Sequence, residues 1–159
     1  MEIKMKIVSI ILAVLAGSIM MVSAQNRVLV SKKQQHLWVI SQSNDTLLSV
    51  KVSTGKNPGN KQRRGDMRTP EGTFPITQIQ NASFWTHDFN DGAGERKGAY
   101  GPFFCRLSTP GFSGIGIHGT CFPELLGKAS SEGCIRMHDD NLRKFVKLVG
   151  KGTKVTIQP

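Results

Sequence analysis

The stretch from Ile115 to Met137 constrains this chain more than any other, because it sets a histidine and a cysteine among glycines. His118 ends a short apolar alternation, as at the end of a strand, and Cys134 follows sixteen residues later. A cysteine becomes a strong nucleophile at neutral pH when a neighbouring imidazole takes its proton. Alternatively, Cys134 is a small buried hydrophobe and His118 a core histidine. Gly119 and Gly133 favour the catalytic interpretation, since a backbone without side chains lets a substrate approach both groups.

Four short motifs occur in a fixed order along the chain. His118-Gly119-Thr120 and, after a loop, Ser131-Glu132-Gly133-Cys134-Ile135-Arg136 follow the pattern H-G-T, loop, S-x-G-C-I-R. Upstream lie Val52-Ser53-Thr54-Gly55 and Arg68-Thr69-Pro70-Glu71-Gly72-Thr73-Phe74. In these motifs the chain resembles the L,D-transpeptidase catalytic domain family, also called YkuD or ErfK/YbiS/YcfS/YnhG. The resemblance runs from about Arg27 to Ile157.

The resemblance implies a cysteine acyltransferase that acts on the stem peptides of bacterial peptidoglycan. The Cys134 thiol would attack the carbonyl after the third residue of a stem tetrapeptide, with His118 as base, and would release D-alanine from a thioester. An amine from a second stem would then form a crosslink, whereas water would give L,D-carboxypeptidase activity. This chemistry needs no cofactor. The residues by themselves indicate only thiol acyl transfer.

Backbone groups beside the pair are expected to assist it. An imidazole base needs a third group that fixes its tautomer, and the family resemblance points to the carbonyl of Gly119, because glycine offers no side chain there. The backbone N–H groups of Gly133 and Cys134 are candidates for an oxyanion hole.

The candidates for substrate binding are Arg136, Tyr100 and Ser131. A guanidinium suits bidentate contact with a substrate carboxylate, but an internal salt bridge of Arg136 is an equal alternative. Tyr100 would line the pocket or donate a hydrogen bond, and Ser131 would brace the turn before the nucleophile. Glu132 departs from the family, in which many members have histidine at this position. We expect its carboxylate to point outward, because an inward carboxylate would raise the pKa of the thiol.

The other three histidines lie outside the motif. His36 begins a predicted strand, and His138 precedes a predicted helix, where it is expected in the cap region. His87 lies in the irregular stretch 78–99, which is rich in aromatic residues and glycine. A loop of this length is either a lid or an ordered surface excursion whose aromatic side chains cap the core. His118 is therefore the expected base.

Hydrophobic alternation and turn residues predict a mainly β domain. The predicted strands cover residues 27–31, 36–41, 47–52, 73–77, 100–108, 115–120 and 153–157, and helical spacing of apolar residues predicts one helix over 139–149. We expect two packed sheets, as in a β-sandwich, with this helix near the C-terminus. The family resemblance implies the same fold.

The N-terminus has the features of a secretory signal peptide. Two lysines precede an apolar run over residues 7–22, and Val22-Ser23-Ala24 is a small-residue cleavage site. We therefore expect residues 1–24 to be a signal peptide and residues 25–159 the catalytic domain. A membrane anchor is the alternative, although the run is short for a span of about twenty residues. Export across the bacterial inner membrane, to the periplasm or cell wall, follows from this interpretation.

The mature chain is expected to be basic. Removal of Lys4, Lys6 and Glu2 with the leader lowers the net charge from +10 to +9. Such a charge favours anionic surfaces, including the cell wall, through long-range attraction. No helix-turn-helix, zinc-finger or RNA-binding motif is present, so nucleic acid is not an expected partner. We expect a monomer.

The odd number of cysteines, three, allows one disulfide and one free thiol. Cys134 would be the free one, and Cys105 and Cys121 either pair or remain reduced. Zinc is not expected, because the cysteine and histidine spacings fit no common pattern. Other classes remain: a wall hydrolase of the NlpC/P60 type, in which cysteine precedes histidine, or a non-catalytic wall-binding module.

Overall fold

The computed structural model describes residues 25–159, so the expected signal peptide lies outside the described residues. Within this range the chain forms ten strands and one α-helix. The strands are β1 (Arg27–Ser31), β2 (His36–Ile40), β3 (Thr46–Ser53), β4 (Gly72–Asn81), β5 (Thr86–Asp88), β6 (Glu95–Lys97), β7 (Phe103–Leu107), β8 (Gly116–His118), β9 (Ile135–Met137) and β10 (Lys154–Gln158). The helix, α1, spans Asp139–Leu148, and a short 3-10 turn spans Pro123–Leu125.

Eight strands form one closed barrel in the order β1-β10-β4-β7-β8-β9-β3-β2, with β2 paired back onto β1. The mainly β prediction is confirmed, but the two packed sheets are not: the expected sandwich is corrected to a barrel plus the two-stranded β5–β6 sheet. Closure arises because β1 has partners on both sides, β2 in antiparallel and β10 in parallel orientation. A strand that pairs on both sides leaves no open edge.

Alternating side chains fill the barrel. Buried and partly exposed residues alternate along β2 and β10, so every second side chain points inward. The largest fully buried side chains include Leu37, Ile76, Ile117, Ile135 and Phe145, which come from four strands and the helix. Transfer of each such side chain from water contributes about 1.5–3 kcal/mol to folding.

The stretch 78–99, expected to be irregular, contains the end of one strand and two further short strands. β4 continues to Asn81, and β5 and β6 form a hairpin in the register Thr86↔Lys97 and Asp88↔Glu95. The sequence pattern did not predict this hairpin, because its two three-residue strands are polar and neither has a buried apolar face. Its side chains reach the candidate site described below.

The single helix begins where the sequence predicts. His138 is the N-cap, and its Nδ1 accepts a hydrogen bond from the Asp140 N–H at 3.3 Å, so the expected cap role is confirmed. Leu142 and Phe145 lie in the core. Within residues 25–159, no helix has both the length and the apolar character needed to cross a bilayer.

Candidate active site

Two parallel strands bring the histidine and the cysteine to one cavity. β8 pairs with β9 in the register Ile117↔Ile135 and His118↔Arg136, so Cys134, immediately before β9, lies alongside Gly116. His118 and Cys134 both line a cavity of about 420 Å³. The structure thus assembles the pair that the sequence indicated, and it does so by strand pairing between segments with a loop between them.

The His118 ring is oriented by the group that the family resemblance suggested. Its Nδ1 donates a hydrogen bond to the carbonyl oxygen of Gly119 at 2.7 Å, which fixes the proton on Nδ1 and leaves Nε2 as an acceptor. The side chain is buried, and burial, together with the positive charge of Arg136, lowers its pKa to about 3. His118 is therefore a neutral imidazole at neutral pH, with Nε2 unprotonated.

Gly119 is required for backbone packing at the end of β8. Its N–H donates to the carbonyl of Tyr100 at 2.8 Å. A Cβ at this position would lie 2.7 Å from the Cα of Gly101 and would collide with the Asp139 carboxylate. The same carboxylate accepts the Thr120 N–H at 3.1 Å, which ties the end of β8 to the first turn of α1. The expectation that Gly119 lets a substrate approach the backbone stays a prediction.

The Cys134 thiol is in its protonated form at rest. It is half-buried, and its Sγ donates a hydrogen bond to the carbonyl of Gly114 at 3.3 Å. Burial raises the pKa of the thiol, although the Gly116 N–H and the charge of Arg136 act in the opposite direction. A neutral thiol and a neutral imidazole share the cavity, so the proton must move from sulfur to His118 as the sulfur attacks.

Ser131 holds the turn that presents the nucleophile. Its hydroxyl donates to the carbonyl of Cys134 and accepts the N–H of Gly133 at 3.1 Å. The Thr69 hydroxyl donates to the Gly133 carbonyl at 2.9 Å. The Gly133 N–H is thus already bonded at rest, and the oxyanion role expected for it stays a prediction that would require this bond to be exchanged.

Gly133, like Gly119, is needed for close packing. It has a φ of +135°, and a Cβ would lie 2.9 Å from the carbonyl oxygen of Arg68. This contact joins the nucleophile turn to the segment that contains the upstream motif from Arg68 to Phe74. The glycine therefore brings two motifs together, and the expectation that it lets a substrate approach the backbone stays a prediction.

Arg136 lines the cavity as a buried cation. Only 6% of it is exposed, its Nε has no hydrogen-bond partner among the described residues, and its guanidinium carbon lies 5.2 Å from the Phe89 ring centre. The salt bridges found within residues 25–159 do not include Arg136, so the internal salt-bridge alternative is not supported. A buried guanidinium without a carboxylate is suited to an anionic ligand.

Glu132 points into the cavity, contrary to expectation. Its Oε2 lies 3.1 Å from Nε2 of His87, and both residues line the same cavity as Cys134. The Tyr100 hydroxyl lies 3.1 Å from Nδ1 of His87, and the Tyr100 ring packs 4.9 Å from the His118 ring. His87 is the functional-site residue that the sequence analysis missed. The unusual carboxylate at position 132 was the signal that a distant partner should be sought.

Apart from Glu132, the Asp, Glu, Lys and Arg residues that line the cavity are all cationic. Besides Arg136, its lining includes Lys61, Arg64 and Arg106. Lys61 is paired with Asp66 at 2.8 Å, and both side chains are almost fully buried. The loop between β3 and β4, which contains them, therefore packs against the site here.

The remaining cysteines and histidines lie elsewhere. Cys105, Cys121 and Cys134 are all free thiols, so the possible Cys105–Cys121 disulfide is absent from residues 25–159, which hold all three. Burial raises the pKa of Cys105 to about 12. His36 lies in β2 and contacts Ser49 at 2.8 Å. Residues 25–159 contain no group of three His, Cys, Asp or Glu side chains placed to hold a metal ion.

Comparison with known sequences identifies the family. The model of the L,D-transpeptidase catalytic domain matches residues 25–157. YqjB of Bacillus subtilis (strain 168) is 33% identical over 133 residues, which are 82% of this chain and 69% of that protein. YkuD of Bacillus licheniformis is 37% identical over 92 residues, or 58% of this chain and 46% of that protein. The chain spans about half the length of the YkuD proteins that it matches.

Solved structures share the fold at low sequence identity. An L,D-transpeptidase from Mycobacterium smegmatis has a TM-score of 0.65 at 19% identity and covers 86% of this chain and 59% of its own. The catalytic domain of the Enterococcus faecium L,D-transpeptidase has a TM-score of 0.61 at 19% identity and covers 85% and 98%. These likenesses agree with the sequence comparison on the fold. From residue 25 to residue 157, this chain belongs to the L,D-transpeptidase catalytic domain family.

Proposed function

We propose that this chain is a peptidoglycan L,D-transpeptidase that works through a cysteine thioester. The observation that carries the proposal is the neutral imidazole of His118, held by Gly119 at 2.7 Å with Nε2 unprotonated, in the same cavity as the Cys134 thiol. This is the arrangement that general-base activation of a thiol requires.

In the first half-reaction, Cys134 attacks the carbonyl after the third residue of a stem tetrapeptide. His118 takes the thiol proton at Nε2 as the C–S bond forms. The resulting imidazolium is disfavoured by burial, so its proton passes readily to the departing D-alanine nitrogen. A thioester remains on Cys134, and His118 is neutral again.

In the second half-reaction, an amine of another stem resolves the thioester and forms the crosslink. Water in its place gives L,D-carboxypeptidase activity, and the partial solvent exposure of Cys134 favours this as the second candidate outcome. Both outcomes use the same nucleophile and base. The competition between aminolysis and hydrolysis therefore depends on how well the amine acceptor is bound.

Arg136 is proposed to bind a carboxylate of the stem peptide. The guanidinium is buried, lies in the cavity and is without an ion pair within residues 25–159. Tyr100 shapes the same wall through its contact with the His118 ring, and Ser131 acts on the substrate only through the turn that it holds.

The setting of the activity is proposed from the sequence. A signal peptide over residues 1–24 would export the chain, and a mature net charge of +9 would draw it to the anionic cell wall. The chain is proposed to act as a monomer. Nucleic acid is not a proposed partner.

Purified muropeptides test the proposal directly. The protein is incubated with disaccharide-tetrapeptides, and the products are identified by mass spectrometry. We expect loss of D-alanine together with crosslinked dimers or hydrolysed tripeptides, and none of these with Cys134→Ser. Unchanged muropeptides after incubation with the active-form protein would contradict the proposed function.

A further inference from the structure

Glu132 places a negative charge in a cavity that is also lined by four cationic lysine and arginine side chains. Of the residues in 25–159 that line this cavity, it contributes the single carboxylate, beside Lys61, Arg64, Arg106 and Arg136. Its side chain is 36% exposed, and Oε2 makes its bond to His87 while Oε1 has no partner within the described range. One carboxylate oxygen is therefore free toward a ligand.

Hydrogen bonds from Tyr100 to His87 and from His87 to Glu132 orient this carboxylate. A carboxylate can only accept, so Nε2 of His87 carries the proton and donates it to Glu132; in that tautomer Nδ1 accepts the proton of the Tyr100 hydroxyl. Burial raises the pKa of Tyr100, which keeps that hydroxyl protonated. With its proton committed to His87, the Tyr100 oxygen is left as an acceptor, as is Glu132.

The hairpin that supplies His87 is itself anchored over the site. Phe89 packs edge-on against Phe122 at 5.1 Å between ring centres, and the Arg96 guanidinium carbon lies 5.1 Å from the same Phe122 ring. These contacts tie β5–β6 to the loop after β8, so His87 is held in place rather than left on a free loop. A fixed partner gives the Glu132 carboxylate a defined direction.

We propose that Glu132, positioned by His87 and assisted by the Tyr100 oxygen, is the binding site for the acceptor's ammonium group. The inference rests on the proposed function and concerns its second half-reaction. Two acceptor oxygens, one charged, suit an –NH3⁺ group, and no other carboxylate of residues 25–159 lines the cavity to bind one. Glu132 lies two residues before Cys134 and lines the same cavity, so an amine bound there shares that cavity with the thioester.

An acceptor R–NH3⁺ must lose two protons from its nitrogen to become part of an amide. The surplus proton passes to the Glu132–His87 pair, and the amine nitrogen attacks the thioester carbonyl, forming the C–N bond. The C–S bond breaks, and the second nitrogen proton passes through His118 to the departing thiolate of Cys134. Amide, thiol and one proton result, and the proton returns to solvent from the exposed carboxylate. Water is uncharged and lacks the charge–charge attraction to Glu132, so the site favours crosslinking over hydrolysis.

Partitioning of the acyl-enzyme tests this assignment. Wild type, Glu132→Gln and the matched control Glu124→Gln, an exposed carboxylate on the 3-10 turn outside the cavity, receive a tetrapeptide donor. Each reaction contains either a stem peptide with a free cationic amine or hydroxylamine, which is uncharged at neutral pH. Mass spectrometry gives the ratio of aminolysis to hydrolysis, a quantity that is independent of how fast the thioester forms.

We expect Glu132→Gln to lower the ratio for the cationic acceptor about tenfold, the loss expected from one charge-assisted hydrogen bond. The ratio for hydroxylamine should stay within about twofold, and Glu124→Gln should behave as wild type with both. An equal fall for both nucleophiles would mean that Glu132 only shapes the loop, and no fall would also overturn the inference. If wild type releases no D-alanine, the proposed function fails, and the inference falls with it.

Discussion

His118 donates its Nδ1 proton to the carbonyl of Gly119, its immediate neighbour in the chain, across 2.7 Å. A side chain can reach the backbone of the next residue in this way only if that residue is held firmly. Here Gly119 is fixed by Tyr100 through a hydrogen bond of 2.8 Å and by contact with Gly101 and Asp139. The base is therefore oriented by the fold rather than by a carboxylate, and its tautomer depends on the packing around one glycine.

Replacement of Gly119 by alanine is expected to damage that packing. The new Cβ would collide with Asp139 and lie 2.7 Å from Gly101, and overpacking of this kind costs about 1–3 kcal/mol. Thermal unfolding should show a lower melting temperature and acylation should slow as well. Gly150→Ala is the control, because a Cβ there meets no atom within 4 Å. Equal stability of the two variants would contradict the packing argument.

Replacement of Cys134 by serine should abolish product formation and leave the fold intact. The two side chains are nearly isosteric, but the hydroxyl is a far weaker nucleophile beside a neutral histidine. Product analysis and circular dichroism of the same sample measure the two effects. Cys105→Ser and Cys121→Ser are the controls and should keep activity. A folded but inactive Cys121 variant would mean that the wrong cysteine has been assigned.

Carbapenem-type β-lactams should acylate Cys134, as membership of the family implies. The strained lactam carbonyl would take the place of the stem carbonyl, so the experiment tests the nucleophile without a peptidoglycan substrate. Intact-mass measurement should show one adduct on the wild-type chain and none on Cys134→Ser. Adducts in equal yield on both proteins would contradict the assignment.

The base can be tested through pH. His118→Ala should reduce acylation at neutral pH about 100-fold or more, the usual contribution of a general base. Burial raises the pKa of Cys134, so the thiol ionises unaided only at alkaline pH, and the loss should shrink as pH rises toward that pKa. In wild type, His118 stays neutral as pH falls toward its own pKa of about 3.

His138→Ala is the control for the base, because His138 is only four residues from Cys134 and caps α1 instead. The intervening β9 is extended, which separates residues four apart by about 13 Å. The control should keep most activity. A folded, inactive His138 variant alongside a nearly normal His118 variant would reverse the assignment.

Arg136→Gln should separate substrate binding from a structural role. Loss of one charge-assisted contact to a substrate carboxylate should raise KM about tenfold. The melting temperature should not fall, because no ion pair within residues 25–159 is broken and a buried charge is removed. Arg63→Gln, an exposed position outside the cavity, is the control. An unchanged KM with a clearly lower melting temperature would show that Arg136 serves the fold alone.

Local patterns were enough to locate most elements and the central pair. Alternation of apolar residues predicted β1 at its observed limits and placed β2, β3 and β10 within two residues. The spacing of Leu142 and Phe145, with two aspartates before them, predicted α1 and its cap. Each of these depends on interactions between neighbours in the chain, such as side-chain alternation in a strand or a capping bond in the first turn.

Contacts between distant segments were decided only in the tertiary structure. Whether strands form two sheets or a barrel depends on the pairing of β1 with β10, at opposite ends of the domain, and no local pattern encodes that partner. Glu132 and His87 lie 45 residues apart, and the hairpin with His87 lacks the apolar faces that reveal a strand. The sequence by itself determined which residues perform the proposed chemistry, because nucleophile, base and glycines lie in short motifs. The fold decided what surrounds them, because the barrel's closure and register bring a carboxylate, a histidine and a tyrosine from separate segments into one cavity.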